Sequence, residues 1–444
     1  PRRGAGGMSS ASQGASSGNG SNGHGPGSET ETRATVAGLL EARQELVDAS
    51  DERLATAFAE VAKRVLDPDP DLAADLALLP PASGLSPPMV SWALETTLGP
   101  ARLPEPWLRL AAQRRGPPGR RVHPRPARLT GVLLAGNVFT ACLRGLFLPL
   151  LARTPVLAKA SSQESIFPRI LARTLQEVDG KLGAALAVVG FPGGADAPAE
   201  QVMLQEAEVV SVYGGDRTVA DLRRRLPPTT RLVTHGHGLG VAYVTREALA
   251  DGDRALATAR ALALDVAAYD QRGCLSPNVA FAEAGGAVAP EELSRMVAEV
   301  GLAELAGTLP RGPLPVPVAA AQLQWRGVAA MRGALVEGDG YATSFEGGGP
   351  LRLAPGYRNL GVHEVSGPEA LRAALGPIGS HLKAIGVAAG PDGDDRTLGE
   401  LARHLPATAS PRLGPLGRMQ QPALDAVADG AGAFEGLVRW LDLG

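Results

Sequence analysis

Cysteine is almost absent from this 444-residue chain, which contains only Cys142 and Cys274. Two cysteines so far apart do not make a disulfide framework, so the sequence predicts a protein of a reducing cytoplasm. A charge imbalance is also lacking, since 43 Lys and Arg oppose 46 Asp and Glu. No basic stretch is interleaved with aromatic residues, and this argues against nucleic acid as a partner.

Long uninterrupted apolar runs are missing as well. The longest apolar stretch, residues 129–157, is broken by residues that are costly in hydrocarbon, namely Asn137, Arg144, Pro149 and Arg153. We therefore expect no membrane span and a buried core instead. No apolar segment follows Arg2 and Arg3, so the sequence predicts no secretory signal.

The N-terminal part divides into a tail and a helical segment. Residues 1–28 contain 9 Gly and 7 Ser and no branched aliphatic or aromatic residue, so they cannot repay the entropy of ordering. We predict a disordered tail over residues 1–33. Residues 34–128 form an N-terminal helical segment, with amphipathic helices broken near Ser50. Its Pro-rich part, residues 67–126, is predicted to be irregular, with Trp92 and Trp107 as packing anchors.

From residue 129 onward, short apolar runs alternate with helical periods, which is the pattern of βαβ units. Strands are predicted at residues 129–135, 155–159, 186–190, 209–213 and 231–244, the last in more than one piece, and helices at 166–178 and 219–226. Apolar runs without strict alternation favour a parallel sheet covered by helices on both sides. We assign residues 129–265 to a dinucleotide-binding domain.

A second alternation follows a long helix predicted at residues 253–268. It comprises strands at 279–283, 351–353 and 385–388 and a helix at 290–305. We assign residues 266–405 to a catalytic domain and 406–444 to a C-terminal segment. The fold class is therefore α/β, with two lobes and Cys274 at their junction, which is the architecture of a cleft.

Cys274 lies in a polar, turn-forming segment, residues 269–277, which suits core packing poorly. A thiol presented at a loop near Arg272 can act as a nucleophile, although a lone cysteine is often only a small buried hydrophobe. Ligands of parallel sheets bind at the carboxyl ends of strands, so Asn137, Lys159 and Gly214 form a line of candidate contacts. Cys142 lies in an apolar helix-like run and is assigned to the core.

Four segments resemble the LuxC-type acyl-CoA reductases, a fatty acid reductase family of the aldehyde dehydrogenase superfamily. Residues 270–277 (DQRGCLSP) resemble the catalytic cysteine segment, and residues 135–138 (AGNV) resemble the Gly-Asn turn. Residues 157–161 (LAKAS) are similar to the strand and lysine that meet the cofactor. Residues 212–216 (VYGGD) are similar to the glycine turn that opens the following helix. The resemblance implies an aldehyde dehydrogenase-like fold with two Rossmann-type lobes and the catalytic Cys in the cleft between them.

The resemblance also implies a reaction. Cys274 would attack an acyl-CoA thioester, release CoA and carry the acyl group as a thioester, which NADPH would reduce to a fatty aldehyde. Asn137 would stabilise the oxyanion together with the Cys274 backbone N–H. His235 and His237 lie where ordinary aldehyde dehydrogenases carry a general base glutamate nearby, and we prefer His237 as the proton acceptor. A metal site at the two histidines is not expected, because no Cys or carboxylate lies beside them in the sequence.

For the cofactor, the resemblance implies contacts from Lys159, Ser161, Ser162, Gly214 and Gly215. NAD-preferring dehydrogenases commonly have Glu three residues after the lysine, whereas this chain has Ser162 there and Glu164 two residues later. The small hydroxyl leaves room for a 2′-phosphate, which favours NADPH. Lys159 as a surface lysine and the two glycines as an ordinary βα turn remain the alternatives.

Other functions stay open at this point. An acyl-phosphate reductase or an aldehyde dehydrogenase of the same superfamily is one, and a non-catalytic scaffold or partner-binding protein with this fold is another. The substrate is expected to be an acyl-CoA. The protein is expected to be a homo-oligomer, with an acyl-transferring partner protein suggested by analogy alone.

Overall fold

The computed structural model describes residues 27–116, 119, 121–194, 197–347, 351–390 and 394–444. The predicted tail therefore lies outside the described residues up to residue 26. Helix α1 begins at Glu29, inside the predicted tail, because Ser28 caps it: the Ser28 hydroxyl accepts from the Glu31 N–H while the Glu31 carboxylate accepts from the Ser28 N–H. The N-terminal elements are α1 Glu29–Glu41, α2 Arg43–Asp48, α3 Asp51–Leu66, α4 Pro70–Leu76, α5 Leu79–Ser83, α6 Pro87–Ala101, α7 Pro104–Ala112 and β1 Val122–Pro126.

The prediction that residues 67–126 are irregular is wrong. Helices α4 to α7 fill most of this segment, and each has proline in its first turn. Proline is favoured there because its missing N–H would have no partner and its φ suits the helix. The prolines therefore start helices instead of breaking them. Trp107, a predicted anchor, is fully buried and meets Phe58 with ring centroids 5.3 Å apart.

The first lobe is a parallel sheet with strand order β4-β3-β2-β5-β6. Its elements are β2 Thr130–Leu133, α8 Cys142–Leu151, β3 Val156–Lys159, α9 Ile166–Val178, α10 Gly180–Gly183, β4 Leu186–Val189, α11 Pro198–Glu206, β5 Val209–Tyr213, α12 Asp216–Arg225 and β6 Arg231–His235. Helices cover both faces, with α3, α8 and α9 on one side and α1 and α11 on the other. The predicted parallel sheet is confirmed.

The second lobe is a sheet of order β13-β12-β7-β8-β11-β10-β9, parallel except for the β9–β10 pair. Its elements are β7 Leu239–Val244, α13 Gly252–Ala267, β8 Pro277–Glu283, α14 Pro290–Met296, α15 Ala303–Thr308, α16 Val316–Arg332, β9 Ala334–Gly338, β10 Tyr341–Phe345, β11 Asn359–Val365, α17 Pro368–Leu375, β12 Leu382–Ala388, α18 Asp394–His404 and β13 Arg412–Pro415. A π-helical segment, Val297–Leu302, joins α14 to α15.

Two features of this lobe differ from the sequence expectations. The chain enters the second sheet at β7, well before the expected limit at residue 265, because β7 is buried along its whole length and pairs with both β8 and β12. The predicted strand at residues 351–353 is wrong. Strand β11 pairs directly with β8 and β10, which leaves no place for another strand between them.

The C-terminal segment connects the two lobes. Strand β13 extends the second sheet, whereas β14, Val438–Asp442, pairs antiparallel with β1 beside the N-terminal helices. The residues between β13 and β14 therefore cross from one lobe to the other and cover the cleft. None of the helices in the described ranges has both the length and the apolar character needed to cross a bilayer.

Candidate active site

The loop that carries Cys274 begins with three consecutive residues in left-handed conformation. Tyr269, Asp270 and Gln271 have φ values of 52°, 52° and 59°. L-residues avoid this region because Cβ approaches the carbonyl oxygen, at a cost of roughly 1–2 kcal/mol each. A turn of this kind persists only where its surroundings fix it.

Buried polar contacts fix this turn. The Asp270 carboxylate accepts from the guanidinium of Arg358 at 2.8 Å and from the Gly312 N–H at 2.9 Å. The Gln271 amide donates to the carbonyl oxygens of Pro277 and Asn359, and its oxygen accepts from the Asn359 N–H at 3.0 Å. The Arg358 side chain and backbone groups of the second lobe thereby hold the loop from several sides.

Cys274 follows this turn and faces the cleft. The residue is exposed, in contrast to the buried Cys142, which is in the core as predicted. The walls of the cleft nevertheless remove much of the water around the sulfur, and this burial raises the pKa of the Cys274 thiol. The Asp429 carboxylate raises it further, while the Lys383 ammonium opposes both effects. The thiol therefore needs a proton acceptor before it can attack.

Asn137 comes from the turn after β2 and reaches the same loop. Its side-chain amide donates to the backbone oxygen of Arg272 at 2.9 Å. An amide has two N–H groups, so this bond leaves one N–H for a ligand. The structure thus brings Asn137 and Cys274 together from different lobes.

The two histidines have different surroundings. The His235 ring stacks on Tyr213, with centroids 4.3 Å apart, and its Nδ1 lies 3.5 Å from the Asp429 carboxylate. His237 is exposed, and its ring lies 6.2 Å from the ring of His381. In the part of the chain that the structure describes, the His237 ring has no ion pair with a carboxylate. Both histidines face the cavity that contains Cys274.

The predicted cofactor residues lie at the carboxyl ends of the first-lobe strands. Lys159 ends β3, and its Nζ lies 5.8 Å from the Phe191 ring centroid. Ser161 packs against Gly136, where a Cβ atom would approach the Ser161 Oγ to 2.7 Å. Ser162 is exposed in the turn before α9. Gly214 and Gly215 follow β5, and Gly215 is the N-cap of α12.

Glu164 faces inward. The buried carboxylate caps α9 by accepting from the backbone N–H groups of Ile166 and Phe167 at 2.7 and 2.8 Å. Burial raises its pKa, although the two N–H groups oppose the shift. With Glu164 committed to the helix, the exposed residues of this turn are Ser162 and Gln163, and neither carries a carboxylate. The fit with a dinucleotide rests on this edge, where α12 begins directly after Gly215 and its first backbone N–H groups can meet phosphates.

The sequence and the fold of this chain are similar to those of known proteins. The sequence matches the acyl-CoA reductase (LuxC) family over residues 114–440. The chain belongs to this family. A long-chain acyl-protein thioester reductase of Aliivibrio fischeri is 26% identical over 157 residues, which are 35% of this chain and 32% of the relative. The aligned region therefore spans about a third of that relative.

Solved structures confirm the aldehyde dehydrogenase fold. The putative aldehyde dehydrogenase PutA of Anabaena variabilis is 16% identical, with a TM-score of 0.68 over 94% of this chain and 93% of that chain. The P. syringae indole-3-acetaldehyde dehydrogenase in complex with NAD+ is 14% identical, with a TM-score of 0.70 over 94% and 89%. Family and fold together support an oxidoreductase that acts on acyl or aldehyde groups.

Two charged residues of this LuxC-family site escaped the sequence analysis. Lys383, on β12, and Asp429, in the C-terminal segment, form an ion pair of 2.6 Å in the wall of the cavity. The Asp429-Gly430 pair signals a turn in the sequence, but nothing there relates it to Cys274. Of the described residues, no three His, Cys, Asp or Glu form a group that could hold a metal ion.

The cavity at Cys274 has a volume of about 810 Å³. Its apolar walls come from α8 and from the C-terminal segment, and they include Leu143, Leu148, Pro149, Leu424, Ala433 and Leu437. Trp325 and residues 341–345 do not line this cavity, and Trp325 and Tyr341 are buried in the packing of the second lobe. A smaller cavity of about 460 Å³ near Leu405 and Leu413 does not include Cys274.

Proposed function

We propose that this protein reduces a long-chain acyl-CoA to the fatty aldehyde, with NADPH as reductant and with the acyl group carried as a thioester on Cys274. Family membership supports the reaction class. The observation that carries the proposal is the cavity of about 810 Å³ at Cys274, whose walls at α8 and the C-terminal segment are apolar. Pockets for small molecules commonly measure about 300–1,000 Å³, so the volume suits an extended chain.

The walls of this cavity support a fatty acyl chain over a short polar acid. Leu143 and Leu148 on α8 face Leu424 and Leu437 of the C-terminal segment. Each methylene group moved from water into such surroundings contributes about 0.8 kcal/mol. Affinity should therefore rise with chain length until the cavity is filled.

The chemistry begins at Cys274. The thiol loses its proton and its sulfur attacks the carbonyl carbon of the thioester; the bond to CoA then breaks, and the CoA thiolate leaves with a proton. The negative oxygen that forms transiently is stabilised by the free N–H of the Asn137 amide and by the Cys274 backbone N–H. Loss of such a donor costs about 3–4 kcal/mol in comparable sites.

The cofactor would lie along the carboxyl ends of the first-lobe strands. Lys159, Ser161 and Ser162 would hold the adenosine ribose, and the backbone at Gly214 and Gly215 would approach the phosphates. When bound, the nicotinamide supplies the hydride that reduces the thioester. NADPH is favoured because Ser162, and no carboxylate, is exposed in the turn that follows β3, while Glu164 is turned inward.

The test is a series of saturated acyl-CoA substrates from four to sixteen carbons. Intact mass should show an acyl adduct that Cys274→Ala abolishes and Cys142→Ala retains, since Cys142 is the matched thiol in the same cavity wall. Added NADPH should release the aldehyde. In the rising part of the series, kcat/KM should increase about fourfold per methylene group, the equivalent of about 0.8 kcal/mol.

Two outcomes contradict this proposal. One is the absence of an adduct with every chain length. The other is a preference for acyl phosphates or free aldehydes without dependence on CoA. A homo-oligomer, an acyl-transferring partner protein and a cytoplasmic location remain predictions, which sedimentation velocity, co-purification and cell fractionation would test.

A further inference from the structure

Three charged or titratable side chains from distant parts of the chain meet in the wall of the cavity at Cys274. The Asp429 carboxylate lies between His235 and Lys383, at 3.5 Å from the His235 Nδ1 and 2.6 Å from the Lys383 Nζ. We propose that Asp429 orients His235 as the residue that exchanges a proton with Cys274, and that Lys383 holds Asp429 in place. This inference rests on the proposed function and replaces His237 with His235.

The backbone at Asp429 and at Lys383 is unusual, and in both cases it directs the side chain into this contact. Asp429 and Gly430 both have positive φ, 53° and 74°, and are enclosed by the hydrogen bonds between Ala428 and Ala431. This is the geometry of a type I′ turn, which Asp-Gly sequences favour. The turn presents Asp429 from the C-terminal segment to the other lobe.

Lys383 reaches the cleft from a β-bulge. The register between β12 and β7 shifts between Leu382 and Ala384, so Lys383 is the extra residue of the bulge. Bulges near active sites redirect side chains. The side chain then passes Gly238, where a Cβ atom would lie 2.2 Å from the Lys383 Cγ. Glycine at residue 238 is thus required for Lys383 to reach Asp429.

The contact with Asp429 also determines which nitrogen of His235 is available. A carboxylate beside Nδ1 favours the tautomer with its proton on Nδ1, which leaves the Nε2 lone pair as the acceptor. Stacking on Tyr213 fixes the plane of the ring. The contact of 3.5 Å is at the limit of a hydrogen bond, and catalytic bonds commonly tighten when substrate binds.

The proton of the Cys274 thiol is accounted for at each step of acyl transfer. The Cys274 proton moves to the His235 Nε2, the sulfur–carbon bond forms, and the bond from carbon to the CoA sulfur breaks. His235 then returns the proton to the CoA sulfur. The imidazolium that exists between these steps is stabilised by the Asp429 carboxylate. His237 lacks such a carboxylate contact among the described residues.

The charges around Asp429 support its role as the ionised partner of His235. Burial acts to raise the pKa of Asp429, but the hydrogen bond from His235 and the contact with Lys383 outweigh it and hold the pKa below its usual range. Asp429 therefore stays ionised as a partner for His235. Titratable or charged groups that also surround the cluster or line its cavity include Cys274, Tyr213, Arg144, Cys142, Asp425, His237, Arg272, Arg412 and Glu435. Burial raises the pKa of Tyr213 to about 12, so it stays neutral.

The experiment compares His235→Gln with His237→Gln, its matched control in the same Gly-flanked segment. The measured quantity is the first-order rate of acyl transfer from dodecanoyl-CoA to Cys274 without nicotinamide, followed by intact mass. His235→Gln should lower this rate about 10²- to 10⁴-fold, and His237→Gln less than about threefold. Asp429→Asn should slow transfer and shift its pH profile, with little further loss when combined with His235→Gln.

A second probe separates this inference from the proposed function. Alkylation of Cys274 by iodoacetamide needs the thiolate but no acyl-CoA, and His235→Gln should slow it near neutral pH. If wild-type protein is not acylated but its alkylation depends on His235, the proposed function fails and the inference stands. If His235→Gln and His237→Gln both react like wild type, or only His237→Gln is slow, the inference is overturned. Should His235→Gln not fold, His235→Asn and Asp429→Asn provide the same comparison.

Discussion

Replacement of Arg358 with Met should destabilise the protein and misplace Cys274. The Arg358 and Asp270 side chains are only 2% and 1% exposed, and the pair is the main charge contact of the left-handed turn before Cys274. Without the guanidinium, the Asp270 carboxylate is left buried. Loss of one partner of a buried ion pair typically costs about 3–5 kcal/mol.

The strain energy of the turn is comparable to the stability lost with Arg358. Three left-handed residues at roughly 1–2 kcal/mol each store about 3–6 kcal/mol, the same order as the contribution of the lost partner. Arg358→Met should therefore let the turn relax. Because the released strain offsets part of the lost contact, we expect the free energy of unfolding to fall by at most about 3–5 kcal/mol, and the acylation of Cys274 to become slower.

The assay is guanidinium unfolding at pH 7.5, followed by circular dichroism, with Arg260→Met as control. Arg260 pairs with Glu304 at the surface, where both side chains are 51% exposed, and such pairs contribute little. Asp270→Asn combined with Arg358→Met should recover part of the loss, because Asn tolerates a left-handed backbone and can still accept from the Gly312 N–H. Equal stability losses for Arg358→Met and Arg260→Met would refute the reasoning.

Three further predictions concern single positions. Burial raises the pKa of Asp265 to about 7, although the N–H groups of Gly417 and Met419 oppose the shift. Because the folded state then binds the proton more tightly than the unfolded state, the free energy of unfolding should fall by up to about 1.4 kcal/mol per pH unit between pH 5 and 6. Asp265→Asn should remove this pH dependence in urea melts. Gly136→Ala should raise the KM for NADPH about tenfold, because its Cβ would lie 2.7 Å from the Ser161 Oγ, while iodoacetamide labelling of Cys274 stays unchanged; an unaltered KM contradicts this. Gly238→Ala should displace Lys383 and slow the acylation of Cys274. Gly236→Ala should not, because its Cβ would meet nothing closer than 3.9 Å. Equal acylation rates for the two variants would contradict a role of Lys383 in the reaction.

Much of the first lobe was predictable because its signals are local. Buried parallel strands are continuous apolar runs, and the helices between them have clear periods, so residues 209–213 and 166–178 were predicted with their observed limits. The prediction of irregular structure in the Pro-rich segment was wrong because proline favours a helix in its first turn but disrupts it in the middle. The prediction of a strand at residues 351–353 was wrong because a short apolar run does not show whether a sheet has room for another strand.

The site residues likewise fall into those with a local sequence signal and those without one. Sequence alone singled out Cys274 as a thiol in a polar turn, and placed Asn137 and Lys159 at strand ends, since these features lie within a few residues of one another. It did not identify Arg358, Lys383 or Asp429, and it preferred His237 to His235. Lys383 and Asp429 are brought into the cavity at Cys274 by a bulge, a type I′ turn and a C-terminal segment that crosses between lobes. Contacts between residues so distant in the chain have no local pattern, because they exist only once both sheets have formed and the segment has closed over the cleft.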